Sequence, residues 1–311
     1  MSYTNDKIQA VADRIIKQME EHGTNWIKPF TYGSKLNNNE TNGLPKNIRG
    51  TYYSGINTFI LGMAQSDSNY TSSYWMTFKQ CQTLGGKIKK GQKATSVTLW
   101  KLNTIKDPSN GEVKDIPLLA FYNVFNLNQT TLTIDDLPKP RVKPLVNLID
   151  EVEAFVKNTK ANIIHKEAGR CYYVPSQDLI NMSPLDTWKN LENNTKEQLY
   201  YSTLLHELVH WTGNEKRLDR LKSSFKGDDT YAFEELVAET GSAILCTILG
   251  IQKEPSDQHA KYLNGWMKKI KDDPKAIFKA IAMSQKAINF LQDLQQPEIR
   301  VNDDSKGVKV A

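Results

Sequence analysis

Residues 200–213 read YYSTLLHELVHWTG and contain His206-Glu207-Leu208-Val209-His210. On a helix, residues four apart lie on one face with Cβ atoms about 5–6 Å apart. Two imidazoles so placed can turn toward one ion at Zn–N distances of about 2.0–2.1 Å. Glu207, one position after the first histidine, is placed to take a proton from a metal-bound water without itself ligating. As a plain core pair, the two imidazoles would each need a dedicated hydrogen-bond partner. A metal is the simpler reason for this spacing. Asn194 or Thr195 offers an N-cap, Leu199, Leu205 and Leu208 supply apolar positions, and Gly213 is a C-terminal stop.

Two histidines leave a zinc ion short of ligands, so a third should follow. Residues 231–249, YAFEELVAETGSAILCTIL, carry Glu234, Glu235 and Glu239. Glu235 and Glu239 are spaced i, i+4 and share a face. One can ligate while the other accepts the outward N–H of a ligating histidine. An exposed acidic stripe is the alternative. The neighbours Leu236, Val237, Ala238, Ile244 and Leu245 instead describe a buried helix, on which a carboxylate needs a partner. The expected set is therefore one Zn2+ per chain on His206, His210 and Glu235. Glu207 is the catalytic base, Glu239 stands behind a histidine, and Glu234 is in reserve as a ligand.

The elements that must position these groups can be read from periodicity. A chain of 311 residues suits two domains of ordinary size. Residues 4–21 place Ile8, Val11, Ile15, Ile16 and Met19 on one helical face, and His22 reads as its C-terminal cap. A short helix is expected over 58–65 and another over 77–84, closed by Gly85-Gly86. Strands are expected over 95–104 and 116–125, turned by Asn110-Gly111. Residues 137–144, LPKPRVKP, form a linker stiffened by three prolines, which predicts independently folding halves. A helix over 145–157, short strands at 163–165 and 171–174, a continuation over 176–182 and two closing helices complete the second half. His165 reads as structural, and the tail from 296 as frayed. The fold class is α+β, with domains 1–136 and 145–295.

Composition narrows the setting. Three cysteines, Cys81, Cys171 and Cys246, are far apart and form no CxxC, so neither a disulfide framework nor a thiolate zinc finger is indicated. The start lacks a basic segment followed by an apolar one, and the longest apolar stretch, 243–251, is too short to span a bilayer. A cytoplasmic protein without membrane association is expected. Of the net charge of +5, residues 1–137 hold +4, with fifteen Lys and Arg against eleven Asp and Glu. A polyanion would meet the first half. Within it, residues 70–106 carry Lys79, Lys87, Lys89, Lys90, Lys93, Lys101 and Lys106, no acidic residue, and Tyr70, Tyr74, Trp75, Phe78 and Trp100 between them. Single-strand binders combine a positive groove with aromatic platforms. A solvated lysine-rich hairpin over an aromatic core would have the same composition.

The motifs of both halves resemble one family. Gly50-Thr51-Tyr52-Tyr53-Ser54-Gly55-Ile56-Asn57, Trp75-Met76-Thr77-Phe78-Lys79-Gln80, Leu84-Gly85-Gly86-Lys87-Ile88-Lys89-Lys90-Gly91 and Phe121-Tyr122-Asn123-Val124-Phe125-Asn126 are similar to the first half of ArdC-type antirestriction proteins, a module also found in some plasmid primases. His206–Gly213, Arg217-Leu218-Asp219-Arg220 and 234–239 resemble the family's zincin-like half. The resemblance covers nearly the whole chain. It implies a single-stranded DNA-binding domain, a metallopeptidase-like domain, and carriage on plasmids or other mobile elements whose incoming DNA is protected from host restriction. It favours the DNA-binding reading, with Tyr74, Trp75, Lys79, Lys87, Lys89, Lys90 and Lys93 as the contacts. The rival function is a cytosolic zinc peptidase whose basic domain recruits a host protein substrate.

Overall fold

A computed structural model describes residues 3–27, 43–106, 113–138, 148–167, 169–191, 194–221, 228–251 and 260–295. The Asn110-Gly111 turn, Pro140 and Pro144 of the linker, and the tail from 296 lie outside the described residues. The chain is α+β, as its patterning predicts.

Helix α1, Tyr3–His22, opens the first half. It is followed by β1, Lys46–Asn47, helix α2, Ile56–Asp67, and β2, Tyr74–Met76. Helix α3, Phe78–Thr83, starts at a capping box in which Thr77 and Gln80 satisfy each other's backbone N–H groups. The hairpin strands β3, Thr95–Lys106, and β4, Val113–Asn126, pair antiparallel with Thr95 opposite Val124. The sheet order is β1-β2-β4-β3, with β1 and β2 parallel. β2 is a central strand covered on both faces: Trp75 enters one apolar cluster with Ile60, Leu61, Val97 and Val124, while Tyr74 and Met76 enter another with Cys81 and Leu127. Burial on both sides explains why Tyr-Trp-Met shows no polar alternation.

The second half contains helix α4, Leu148–Thr159, and strands β5, Asn162–Ile164, β6, Tyr172–Val174, and β7, Leu179–Asn181, in the order β5-β7-β6. Among the described residues four α-helices follow: α5, Lys196–Thr212; α6, Asp228–Ile248; α7, Ala260–Asp272; and α8, Lys275–Asp293. No helix among the described residues is long and apolar enough to cross a membrane.

The main core does not stop at the linker. It joins Ala12, Ile15, Ile16 and Met19 of α1, together with Trp26, Phe59 and Met63, to Leu205 and Leu208 of α5, Val237 of α6, Trp266 of α7 and Ile281 of α8. Helix α1 lies against α7 and α8. Lys271 Nζ meets Glu20 at 2.9 Å, and the Gly55 N–H donates to Gln285 Oε1 at 2.9 Å. The expectation of independently folding halves is at odds with this shared core. The apolar stripe of α1 was legible, but its partner lies some 250 residues away in sequence and leaves no local signal.

Candidate metal centre

Helix α5 begins at Thr195, which forms a capping box with Gln198. It ends at Gly213, whose φ of −77° any residue could adopt. Glycine is required there for room: a Cβ would stand 2.7 Å from Leu221 Cγ and 3.0 Å from Arg220 Nη2. The sequence pointed to glycine as a stop; the structure gives close packing as the reason. From this helix, His206 and His210 turn toward α6 and meet Glu235.

The three donor groups converge. His206 Nε2 and His210 Nε2 are 3.1 Å apart, Glu235 Oε1 is 3.3 Å from His210 Nε2, and Glu235 Oε2 is 3.5 Å from His206 Nε2. Tetrahedral ligands about 2.0–2.1 Å from a zinc ion are separated by about 3.3 Å. The spacing and the donor chemistry therefore fit a divalent cation. His206, His210 and Glu235 are all buried.

Carboxylates stand behind both imidazoles. Glu239 Oε2 lies 3.6 Å from His206 Nδ1, and Glu234 Oε1 lies 3.3 Å from His210 Nδ1. An imidazole that gives its Nδ1–H to a carboxylate keeps the Nε2 lone pair for the ion. Glu234 thus backs a histidine and does not serve as a reserve ligand. It is itself held by Arg220, with Nε donating to Oε2 at 2.8 Å and Nη2 to Oε1 at 2.7 Å. The sequence marks Arg220 as part of the Arg217–Arg220 motif but assigns it no contact, and it does not reveal this role of Glu234. The available signal was an arginine in the turn between two helices that already carried an unpaired glutamate.

The electrostatics follow from these contacts. Burial works against charge on His210, yet Glu235 and Glu234 outweigh it and push the group up to about 10. Burial likewise opposes charge on His206, and Glu235 and Glu239 raise it nonetheless. Burial would raise Glu234, but the Arg220 guanidinium and His210 hold it below the ordinary carboxylate range. Glu207, next to His206 in the chain, is buried. Burial pushes the Cys171 thiol up, the Ser183 N–H opposes this, and the Glu207 charge adds to it. Tyr231, one turn before Glu235, packs its ring 5.5 Å from that of Tyr262 and is partly exposed, and burial together with the Glu235 charge pushes its hydroxyl well above the ordinary range. His165 is elsewhere, its Nε2 2.9 Å from the Tyr200 hydroxyl.

The expected DNA contacts divide. Lys79, Lys87, Lys89, Lys90 and Lys93 are exposed. Tyr74 is 4% exposed with Lys46 Nζ 4.3 Å over its ring, and Trp75 is fully buried with Tyr70 packed edge-on at 5.9 Å. Neither ring is open to a base, and their assignment as stacking platforms is corrected. Both belong to the central strand, which local composition does not reveal. Phe78, three residues beyond Trp75, is 53% exposed.

Comparison with known proteins places both halves. Residues 5–125 match the family described as the N-terminal domain of anti-restriction factor ArdC, and residues 150–283 match the zincin-like metallopeptidase family MPTase-PolyVal. The metal-free crystal structure of antirestriction protein ArdC from plasmid R388 is 36% identical, covers 92% of this chain and 97% of its own, and superposes with a TM-score of 0.76. The chain belongs to the ArdC antirestriction family. The Mn(II)-bound structure of the R388 protein gives a TM-score of 0.74 at the same identity and coverage. An Escherichia coli protein named DNA primase TraC is 33% identical over 94% of this chain. The chain spans only 20% of that primase's length.

Proposed function

We propose that this ArdC-family chain binds single-stranded DNA through its first half, carries one divalent cation, zinc by preference, in its second, and protects incoming DNA from host restriction. The observation that carries the metal reading is the convergence of His206, His210 and Glu235 at 3.1–3.5 Å. Two imidazoles and a carboxylate suit zinc. The Mn(II)-bound R388 relative supports a divalent ion in the corresponding fold. When bound, the ion would act as a Lewis acid toward an oxygen ligand.

The residues of the chain divide the remaining work. Glu207 supplies a proton acceptor beside the ion position while taking no part in the ligand triangle. Glu239 and Glu234 fix the two imidazoles. Tyr231 offers a hydrogen-bond donor next to Glu235. For DNA, the exposed Lys79, Lys87, Lys89, Lys90 and Lys93 supply phosphate contacts without base preference. The exposed ring of Phe78 takes the place of Tyr74 and Trp75 as the stacking surface.

Covering the DNA is the favoured mode of protection, because sequence-independent electrostatic contact shields a strand without requiring a protein substrate. The test pairs binding with protection in cells. His206→Ala should lose stoichiometric metal, Glu207→Ala should keep it, and binding of single strands should weaken steeply as salt rises. Glu207→Ala should still protect. Protection lost by Glu207→Ala at normal expression, metal content and DNA affinity would replace covering with proteolysis of a host protein. Equal affinity for single strands and blunt duplex would remove the single-strand reading.

A further inference from the structure

Arg220 lies in neither metal helix, yet it holds both. Its Nη2 donates to the Val209 carbonyl at 2.7 Å and its Nη1 to Thr212 Oγ1 at 3.2 Å, both in the last turns of α5. Carbonyls at a helix end have no partner within the helix, and this contact supplies one. The same guanidinium grips Glu234 of α6 with two N–H groups, at 2.8 Å and 2.7 Å. Glu234 in turn stands 3.3 Å from His210 Nδ1. All of this is enclosed, with the Arg220 side chain 7% and the Glu234 side chain 5% exposed. A planar five-donor fork can address two carboxylate oxygens, a carbonyl and a hydroxyl together, which a lysine ammonium on a flexible stem cannot reproduce.

We propose that Arg220 is a positioning residue of the metal centre. It ties the end of α5 to α6 and, through Glu234, aims His210 Nε2 at the point shared with His206 and Glu235. The ligand set is thereby assembled before the ion arrives. The inference rests on the metal-centre reading above and extends it to a residue outside the HExxH motif and its ligand helix. Removing a partner that orients a ligating histidine costs about 10–100-fold in metal affinity, and Arg220 controls such a partner.

The chain contains its own control. Arg217 belongs to the same turn, donates its Nε to the Trp211 carbonyl at 2.6 Å, lies 3.8 Å over the Trp211 ring and pairs with Asp178. It anchors the turn at least as firmly, but its contacts run to the small sheet and not to Glu234. If anchoring were the whole role of Arg220, the two arginines would be equivalent.

The experiment uses the full-length protein as wild type, Arg220→Gln, Arg220→Lys, Arg217→Gln, Glu234→Gln and the Arg220→Gln/Glu234→Gln double variant. Zn2+ affinity is measured by chelator competition, and ligand geometry by the visible spectrum of the Co2+-loaded protein. Arg220→Gln should bind at least about tenfold more weakly with an altered Co2+ spectrum, and Arg220→Lys should recover only part of the loss. Arg217→Gln should melt earlier yet bind metal within about twofold of wild type, and adding Glu234→Gln to Arg220→Gln should cost no more than about a further twofold. Wild-type affinity and spectrum in Arg220→Gln would overturn the proposal, as would equal losses in the two arginine variants. Should Arg220→Gln fail to fold, Arg220→Lys and Glu234→Gln carry the test, and wild-type affinity in both overturns it. A wild-type protein that binds no metal would overturn the metal-centre reading itself.

Discussion

Cutting the chain at residue 136 is the sharpest test of how its halves are joined. Ile15, Met19 and Met63 are fully buried, Phe59 is 1% exposed and Ile16 is 5% exposed, all within the core that continues into α5–α8. Burying a large apolar side chain contributes about 1.5–3 kcal/mol, so these five represent about 8–15 kcal/mol. That sum matches the whole stability of a typical domain, about 5–15 kcal/mol. Contacts such as the Trp26–Phe59 stack, 6.1 Å between ring centres, stay inside the fragment. Even if half of the burial is kept, the loss of the rest removes most of the margin. The cut also breaks the Glu20–Lys271 and Gly55–Gln285 contacts. A 1–136 fragment should therefore lack a cooperative melt by circular dichroism, bind a hydrophobic dye, and self-associate in sedimentation. A monomeric fragment melting cooperatively within about 5 °C of the full chain, a difference worth only about 1 kcal/mol at this size, would refute the shared-core argument. It would also show that the linker separates independently folding halves.

Other outcomes follow from single contacts. In the metal-free protein His210 is raised from 6.5 to about 10, so its contribution to stability is complete below pH 6.5 and lost as pH rises through about 10. The melting temperature of the metal-free protein should fall across that window, while Zn2+ affinity should rise because protons compete for the same nitrogens; calorimetry at several pH values reads both. Gly213→Ala forces a Cβ to 2.7 Å from Leu221 Cγ and should cost about 1–3 kcal/mol in denaturant unfolding, with weaker metal binding if the Arg220 fork shifts. Phe78→Ala should reduce single-strand affinity by about 1–3 kcal/mol. Trp75→Phe should lower stability and leave the affinity of the folded protein unchanged, and fluorescence anisotropy separates the two.

What was legible in the sequence was local. The i, i+4 histidines, the glutamate between them, and the glutamates on the next amphipathic helix follow from helical geometry, which repeats wherever a helix forms. The same holds for the Thr195 cap and for the β3–β4 hairpin, whose pairing is between neighbours in sequence. Tertiary structure decided what depends on which surfaces meet. It put Glu234 behind His210 and Arg220 behind Glu234, because the turn after Gly213 folds back over the end of α5. It buried Tyr74 and Trp75, because β2 lies between two other strands and under two cores, while Phe78 just beyond the strand stays exposed. It also drew α1 into the core of the other half. An apolar stripe states that a helix must be covered but not by what, since hydrophobic attraction carries no address, and its covering surface here is supplied by helices at the far end of the chain.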